Sequence, residues 1–239
     1  MNFSVTVNFG QIVDAINGKK GCPVNWSCDG LILMIVACFD QLEEDFLCKL
    51  TFEQWLDIFI IAKHKNELAI ANRAFQKLEE LSNSFSDWLM ICQKCNGSHL
   101  DKSMAERAMV EISMRAETLE EYIKAFFAIS FREQDILCLD RSSLCADISA
   151  KIQILIANAS LEELFKCSLL FGTGNKECSE IANLVYMRLK TAESTYDEWW
   201  NITKRVYLDF QGYKSKRFDE LINRRLKELF SLENPDFMK

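Results

Sequence analysis

The chain has 239 residues, 49% of them apolar, and 28 basic against 35 acidic residues give a net charge of −7. An acidic balance argues against general nucleic-acid binding, which calls for a basic footprint. Two prolines and 8 glycines leave few breakers for long helices, and a chain of this length with 10 cysteines is not a small disulfide scaffold.

The N-terminal region is read first. Phe3, Val5, Val7 and Phe9 alternate weakly, Gln11 to Ile16 turns helical, and Gly18 ends that stretch. No basic segment followed by an apolar run marks secretion, which places the protein in the cytosol of the producing cell or of a host cell. The Asn-x-Ser/Thr triplets at Asn2, Asn25, Asn96, Asn158 and Asn201 read as chance matches. Leu31 to Leu50 reads as one long helix, and its apolar start is well short of the roughly 20 residues a membrane span needs. Residues 1–50 therefore form a divergent capping segment: a short helix or a strand pair, then helix 31–50.

From residue 51 a short phrase returns five times: Thr51-Phe-Glu-Gln-Trp55, Ser84-Phe-Ser-Asp-Trp88, Thr118-Leu-Glu-Glu-Tyr122, Ser160-Leu-Glu-Glu-Leu164 and Thr195-Tyr-Asp-Glu-Trp199. The intervals are 33, 34, 42 and 35 residues, the period of a helix-pair repeat. Each phrase is a capping box. The leading hydroxyl can accept from an amide of the first turn, and Gln54, Asp87, Glu121, Glu163 or Glu198 can reach back to the cap amide. Asp87 has the shortest reach and predicts the weakest box. The large apolar residue that follows anchors each helix start in the core.

Ala71, Ala105 and Ala182 each stand 13 residues before the next cap. Each opens an apolar stripe at i, i+4 and i+7: Phe75 and Leu78, Met109 and Ile112, Tyr186 and Leu189. The third unit has Asp147 there instead, with Ala146 beside it, and its extra length is expected within Phe131 to Ser143. Five units follow, 51–83, 84–117, 118–159, 160–194 and 195–229, with a tail at 230–239.

Catalytic signatures are missing. There are two histidines, His64 and His99, and no nucleophile elbow, metalloprotease motif or phosphate-binding glycine loop. Gly172-Thr-Gly174 is explained by a glycine closing a helix. Cys92, Cys95 and His99 meet half the spacing of a zinc site, and no second ligand pair follows, so no metal is assigned. Cys38, Cys48, Cys138, Cys167 and Cys178 lie in or beside apolar helices and read as small hydrophobes, while Cys22 and Cys28 sit in an expected loop. No cofactor is expected.

Charge is uneven. Met1 to Met187 carries a net −9, Arg188 to Lys227 a net +4, and the last twelve residues −2. The basic segment, with Lys204, Arg205, Lys214, Lys216, Arg217, Arg224 and Arg225, either meets an anionic partner or is a solvated helix face.

By period and helix-pair pattern, residues 51 to 229 resemble the class of helical repeats that includes tetratricopeptide, pentatricopeptide and HEAT-like arrays. The resemblance implies an all-α fold: a right-handed α-solenoid of stacked antiparallel helix pairs, with first helices lining an inner groove. On that arrangement Asp57, Met90, Lys124, Lys166 and Asn201 form a varied, mostly polar column two residues past each anchor, and Lys204 and Arg205 extend it. The column either contacts a partner or faces water. The expected function is a non-catalytic adaptor or regulator, of bacterial or viral effector kind, that grips a peptide or protein partner. Single-stranded RNA binding, and a small-molecule-sensing or enzymatic helical domain, are the alternatives.

Overall fold

A computed structural model describes residues 28–42, 44–94, 102–130, 141–172, 176, 179–208, 210 and 214–235. Among these residues every regular element is a helix, in keeping with an all-α fold. The elements are α1 (Cys28–Ala37), a 3-10 turn (Phe39–Gln41), α2 (Glu44–Leu47), α3 (Phe52–His64), α4 (Leu68–Leu81), α5 (Phe85–Lys94) and α6 (Lys102–Arg115). Then come α7 (Leu119–Ser130), α8 (Arg141–Asn158), α9 (Leu161–Ser168), a 3-10 turn (Leu169–Phe171), α10 (Glu180–Lys190), α11 (Tyr196–Ile202), a π-helical turn (Thr203–Leu208) and α12 (Lys216–Glu233). None is long and apolar enough to cross a membrane. The expectations about residues 1–27, the extra length within 131–140, and Gly174, Cys95, His99, Cys138 and Cys178 fall outside the described residues.

Local chemistry sets where the helices begin. The Thr51 and Ser160 boxes are closed in both directions. At Thr118 the Glu121 amide donates to the hydroxyl at 3.2 Å, and the Thr118 amide donates to the Glu121 carboxylate at 3.1 Å. The Ser84 box is not the weakest. Asp87 accepts from the Ser84 amide at 2.9 Å and also from the Asn83 amide at 3.2 Å, because its short side chain sits directly over the turn. At Thr195 the forward bond from Glu198 is present, and the neighbouring Tyr196 amide is taken from a distance by the Glu233 carboxylate of α12 at 2.8 Å.

The long helix expected over Leu31 to Leu50 is broken. Cys38 leaves helical geometry at φ −119°, ψ 19°, and Leu42 is extended. The restart at Glu44 puts Glu44 and Asp45 in a first turn, where carboxylates are favoured. The interruption still buries Phe39, Leu42, Leu47 and Leu50.

The chain divides into two compact units, Met1–Ala108 and Met109–Lys239, with the boundary inside α6. In the first, α3 packs on α1 and α4. Trp55 meets Phe39 edge-on, centroids 6.1 Å apart, and the Trp88 indole N–H donates to the Ser82 carbonyl at 3.2 Å. α3 closes in a Schellman motif. Asn66 takes the left-handed conformation (φ 62°), the Glu67 amide donates to the Ala62 carbonyl and the Asn66 amide to that of Lys63.

In the second unit, α7 packs on α8 and α9, α10 on α8, α9 and α12, and α11 on α12. Aromatic rings join these helices. Phe171 stands edge-on to Phe127 at 5.9 Å and stacks on Phe218 at 5.5 Å, and Tyr186 meets Phe218 at 5.9 Å. Gly172, at φ 20°, closes the 3-10 turn that carries Phe171, so the glycine has the helix-ending duty its position suggests.

Ala71, Ala105 and Ala182 are all buried. In α8 the stripe shifts by one residue: Asp147 is exposed, and Ile148, Ile152 and Ile156 face inward. Cys38 and Cys167 are buried as expected of small hydrophobes, and Cys92 is buried too, whereas Cys48, just past the end of α2, is exposed.

Candidate functional site

The polar column is held mainly by ion pairs. Asp57 stands 3.9 Å from Lys94, Lys124 is paired with Glu120 at 2.6 Å, and Lys166 with Glu162 at 2.9 Å. Arg205 also contacts Glu162, so Lys166 and Arg205 are brought together on one carboxylate. The hydrogen-bonded Lys166 ammonium holds the Glu162 carboxyl below the ordinary range, with Arg205 adding to it. Met90 is half-buried, and Asn201 and Lys204 are exposed. The basic C-terminal segment is likewise divided. Arg217 bonds Asn183 at 2.6 Å and its guanidinium lies 4.1 Å from the Tyr186 ring centre; Arg224 bonds the Tyr186 hydroxyl, and Arg225 bonds Glu228 and the Ala192 carbonyl. Lys204 and Lys227 make no ion pair among the described residues.

A different surface stands out, between α11 and α12. The Thr195 cap fixes the start of α11, so Trp199 turns inward and is fully buried while Tyr196 and Trp200, one turn apart, share the outer face. Their rings lie nearly parallel, 6.5 Å between centroids and 5° between planes. On α12 the matching pair is Leu226 and Phe230, and Phe230 meets Tyr196 edge-on at 5.4 Å. Together with Lys227 and Ser231 these side chains line an open, mostly apolar groove of about 460 Å³. Trp200 is 42% exposed and Phe230 39%, large apolar rings that water would normally exclude.

Comparison of the chain with protein-family models, curated proteins and solved structures returns no match. The site therefore has to be read from its own chemistry.

A second, polar cavity of about 260 Å³ lies between the start of α9 and the end of α10, lined by Arg188, Thr191 and Glu193. The Arg188 Nε–H is buried without a hydrogen-bond partner. Glu193 also lines the cavity, so its lining carries both signs of charge.

Among the described residues no group of three or more His, Cys, Asp or Glu could hold a metal ion. Burial pushes the Cys167 thiol up to about 12, with Glu120 and Glu163 adding to the rise, and burial also raises Cys38 and Cys145. None of these three favours the thiolate that nucleophilic chemistry needs.

Trp200 carries no assigned role in the sequence reading, although it stands next to Asn201 of the polar column. Counting five residues past each cap gives Leu56, Leu89, Ile123, Phe165 and Trp200, apolar in every copy. Leu56, Ile123 and Phe165 are buried and Leu89 half-buried, while Trp200 is exposed. Only the structure shows that, among the described residues, this large ring stays open to solvent.

Proposed function

We propose that this chain is a non-catalytic adaptor or regulator that binds a protein partner, and that its five helix pairs stack as a right-handed solenoid. The observation that carries the reading is the exposed aromatic groove of Tyr196, Trp200 and Phe230, set on a helix pair whose other face is packed into the core. Rigid aromatic rings with little conformational entropy to lose are the usual anchors of protein interfaces. The cytosol is the proposed compartment, of the producing cell or of a host.

The test is a photo-reactive phenylalanine analogue installed at position 200 in the protein as expressed in its native setting, with a matching analogue at exposed Glu79 as control. A protease-sensitive adduct formed from position 200 and not from 79 is expected. Adducts equal at both positions would remove the groove from consideration.

Single-stranded RNA binding is the second reading, favoured by exposed Trp200 beside Lys227, a pairing that suits base stacking next to a phosphate. The net charge of −7 weighs against it. A nuclease-sensitive adduct from position 200 would select it over a protein partner.

A further inference from the structure

The molecule contains a template for what covers such a groove. Phe165 of α9 occupies the same place in its phrase as Trp200 in α11, and it is fully buried. It is covered by the helix pair that follows. The Trp199 ring stands edge-on over it at 5.0 Å, and α9 packs against the π-helical turn that extends α11. At Trp200 the same kind of seat is built again and, among the described residues, nothing occupies it.

The shape selects a helix. Tyr196 and Trp200 are one turn apart on α11, Leu226 and Phe230 one turn apart on α12, and Phe230 closes the floor against Tyr196. Two roughly co-extensive ridges with a furrow between them accept side chains spaced at i and i+4. A volume of about 460 Å³ admits more than one bulky side chain.

Charge selects among helices. Lys227 lines the groove and Lys204 lies one turn beyond Trp200, neither with an ion-pair partner among the described residues, in a segment of net +4. Burying the Lys227 ammonium under an apolar partner without an acid would leave an unpaired charge, which is disfavoured. A nucleic-acid strand fits less well, because the groove lining offers a single cation, Lys227, and the chain as a whole carries a net charge of −7.

We propose that the groove between α11 and α12 receives one amphipathic helix of a partner protein, its bulky apolar side chains at i and i+4 covering Trp200, Leu226 and Phe230 and an acidic side chain meeting Lys227. This rests on the reading of the chain as a binding protein.

Two displayed peptide libraries test it against the full chain. One is of amphipathic helices with a randomised apolar stripe and Glu, Gln or Lys at the flanking position; the other is of proline-containing extended peptides. Both are sorted on the natural chain, on Trp200→Ser, on Phe230→Ser and on Lys227→Glu, each variant first shown by circular dichroism to remain helical. Binders are expected from the helical library, with Glu favoured over Lys by about tenfold on the natural chain. Lys227→Glu should reverse that preference, and Trp200→Ser or Phe230→Ser should weaken binding by roughly thirtyfold. Binders that lose affinity with Trp200→Ser but show no Glu preference, or that come from the extended library, overturn this inference and leave the binding reading standing. If neither library yields a binder that responds to Trp200→Ser or Phe230→Ser, both fall.

Discussion

The indole ring of Trp199 lies edge-on to the ring of Phe165, with centroids 5.0 Å apart and planes at 70°, and both side chains are fully buried. The contact joins one capping phrase to the next, since Trp199 is the anchor of the fifth and Phe165 follows the anchor of the fourth. Trp199→Ala should cost about 3–5 kcal/mol, the range for a large aromatic removed from a core. Urea unfolding followed by circular dichroism measures it, and a loss under about 1 kcal/mol would contradict the packing described.

Two of the three anchoring indoles, Trp88 and Trp199, differ in their N–H groups. Trp88 donates to the Ser82 carbonyl, whereas the Trp199 N–H is buried without a partner. Replacing each by Phe should therefore destabilise more at 88 than at 199. Breaking the first bond leaves a buried carbonyl short of a donor, and the second change removes a donor that had nothing to satisfy. Equal losses in the same denaturation assay would refute the distinction.

Acid should loosen the capping boxes. The Ser160 hydroxyl and amide donate to the Glu163 carboxylate and hold its pKa below the ordinary value. Burial pushes Glu121 up, but the Glu117 and Thr118 amides and the Thr118 hydroxyl more than reverse it. A carboxyl lowered by folding contributes stability that is fully present above its unfolded pKa, about 4.3, and is lost as pH falls through the folded value. The double variant Glu121→Gln, Glu163→Gln should start less stable at pH 7 and lose less stability between about pH 5 and pH 3. Parallel pH profiles for the two proteins would count against the boxes as titrating elements.

Asn66 closes α3 with φ at 62°, a conformation that a β-branched side chain resists. Asn66→Val should cost about 1–2 kcal/mol and Asn66→Gly little or nothing. Thermal unfolding of the two variants is the check, and a tolerated valine would show that the turn is not held left-handed.

Thiol reactivity should follow depth. Cys48 is exposed and Cys145 half-buried, whereas Cys38, Cys92 and Cys167 are buried. Among these five thiols, pulsed alkylation of the native protein, resolved peptide by peptide, should modify Cys48 first, Cys145 more slowly and the other three last. Labelling of Cys167 at the rate of Cys48 would contradict its burial and its raised pKa.

Much of this fold was legible in the chain because much of it is local. A hydroxyl and an acid three residues apart meet wherever a helix starts, so the five phrases located the starts of α3, α5, α7, α9 and α11 without reference to anything distant. The inward stripes around Ala71, Ala105 and Ala182 were legible for the same reason, except that Phe75 and Tyr186 are only half-buried and Ala74 and Val185 lie deeper in their helices. The break at Cys38 was not legible, because the apolar spacing runs on unbroken through Phe39, Leu42, Leu47 and Leu50, which are buried whether or not the helix is continuous. The polar column was found as a pattern, but not the fact that Glu120 and Glu162 neutralise two of its lysines.

The amino-acid order by itself determined where helices begin, which side of each turns inward and that the fold is helical, since these depend on neighbours within one or two turns. Tertiary packing decided that Phe165 disappears beneath Trp199 while Trp200, in the same place of its own phrase, remains open to water. Burial of a side chain depends on which element lies across from it, and that element can be dozens of residues away.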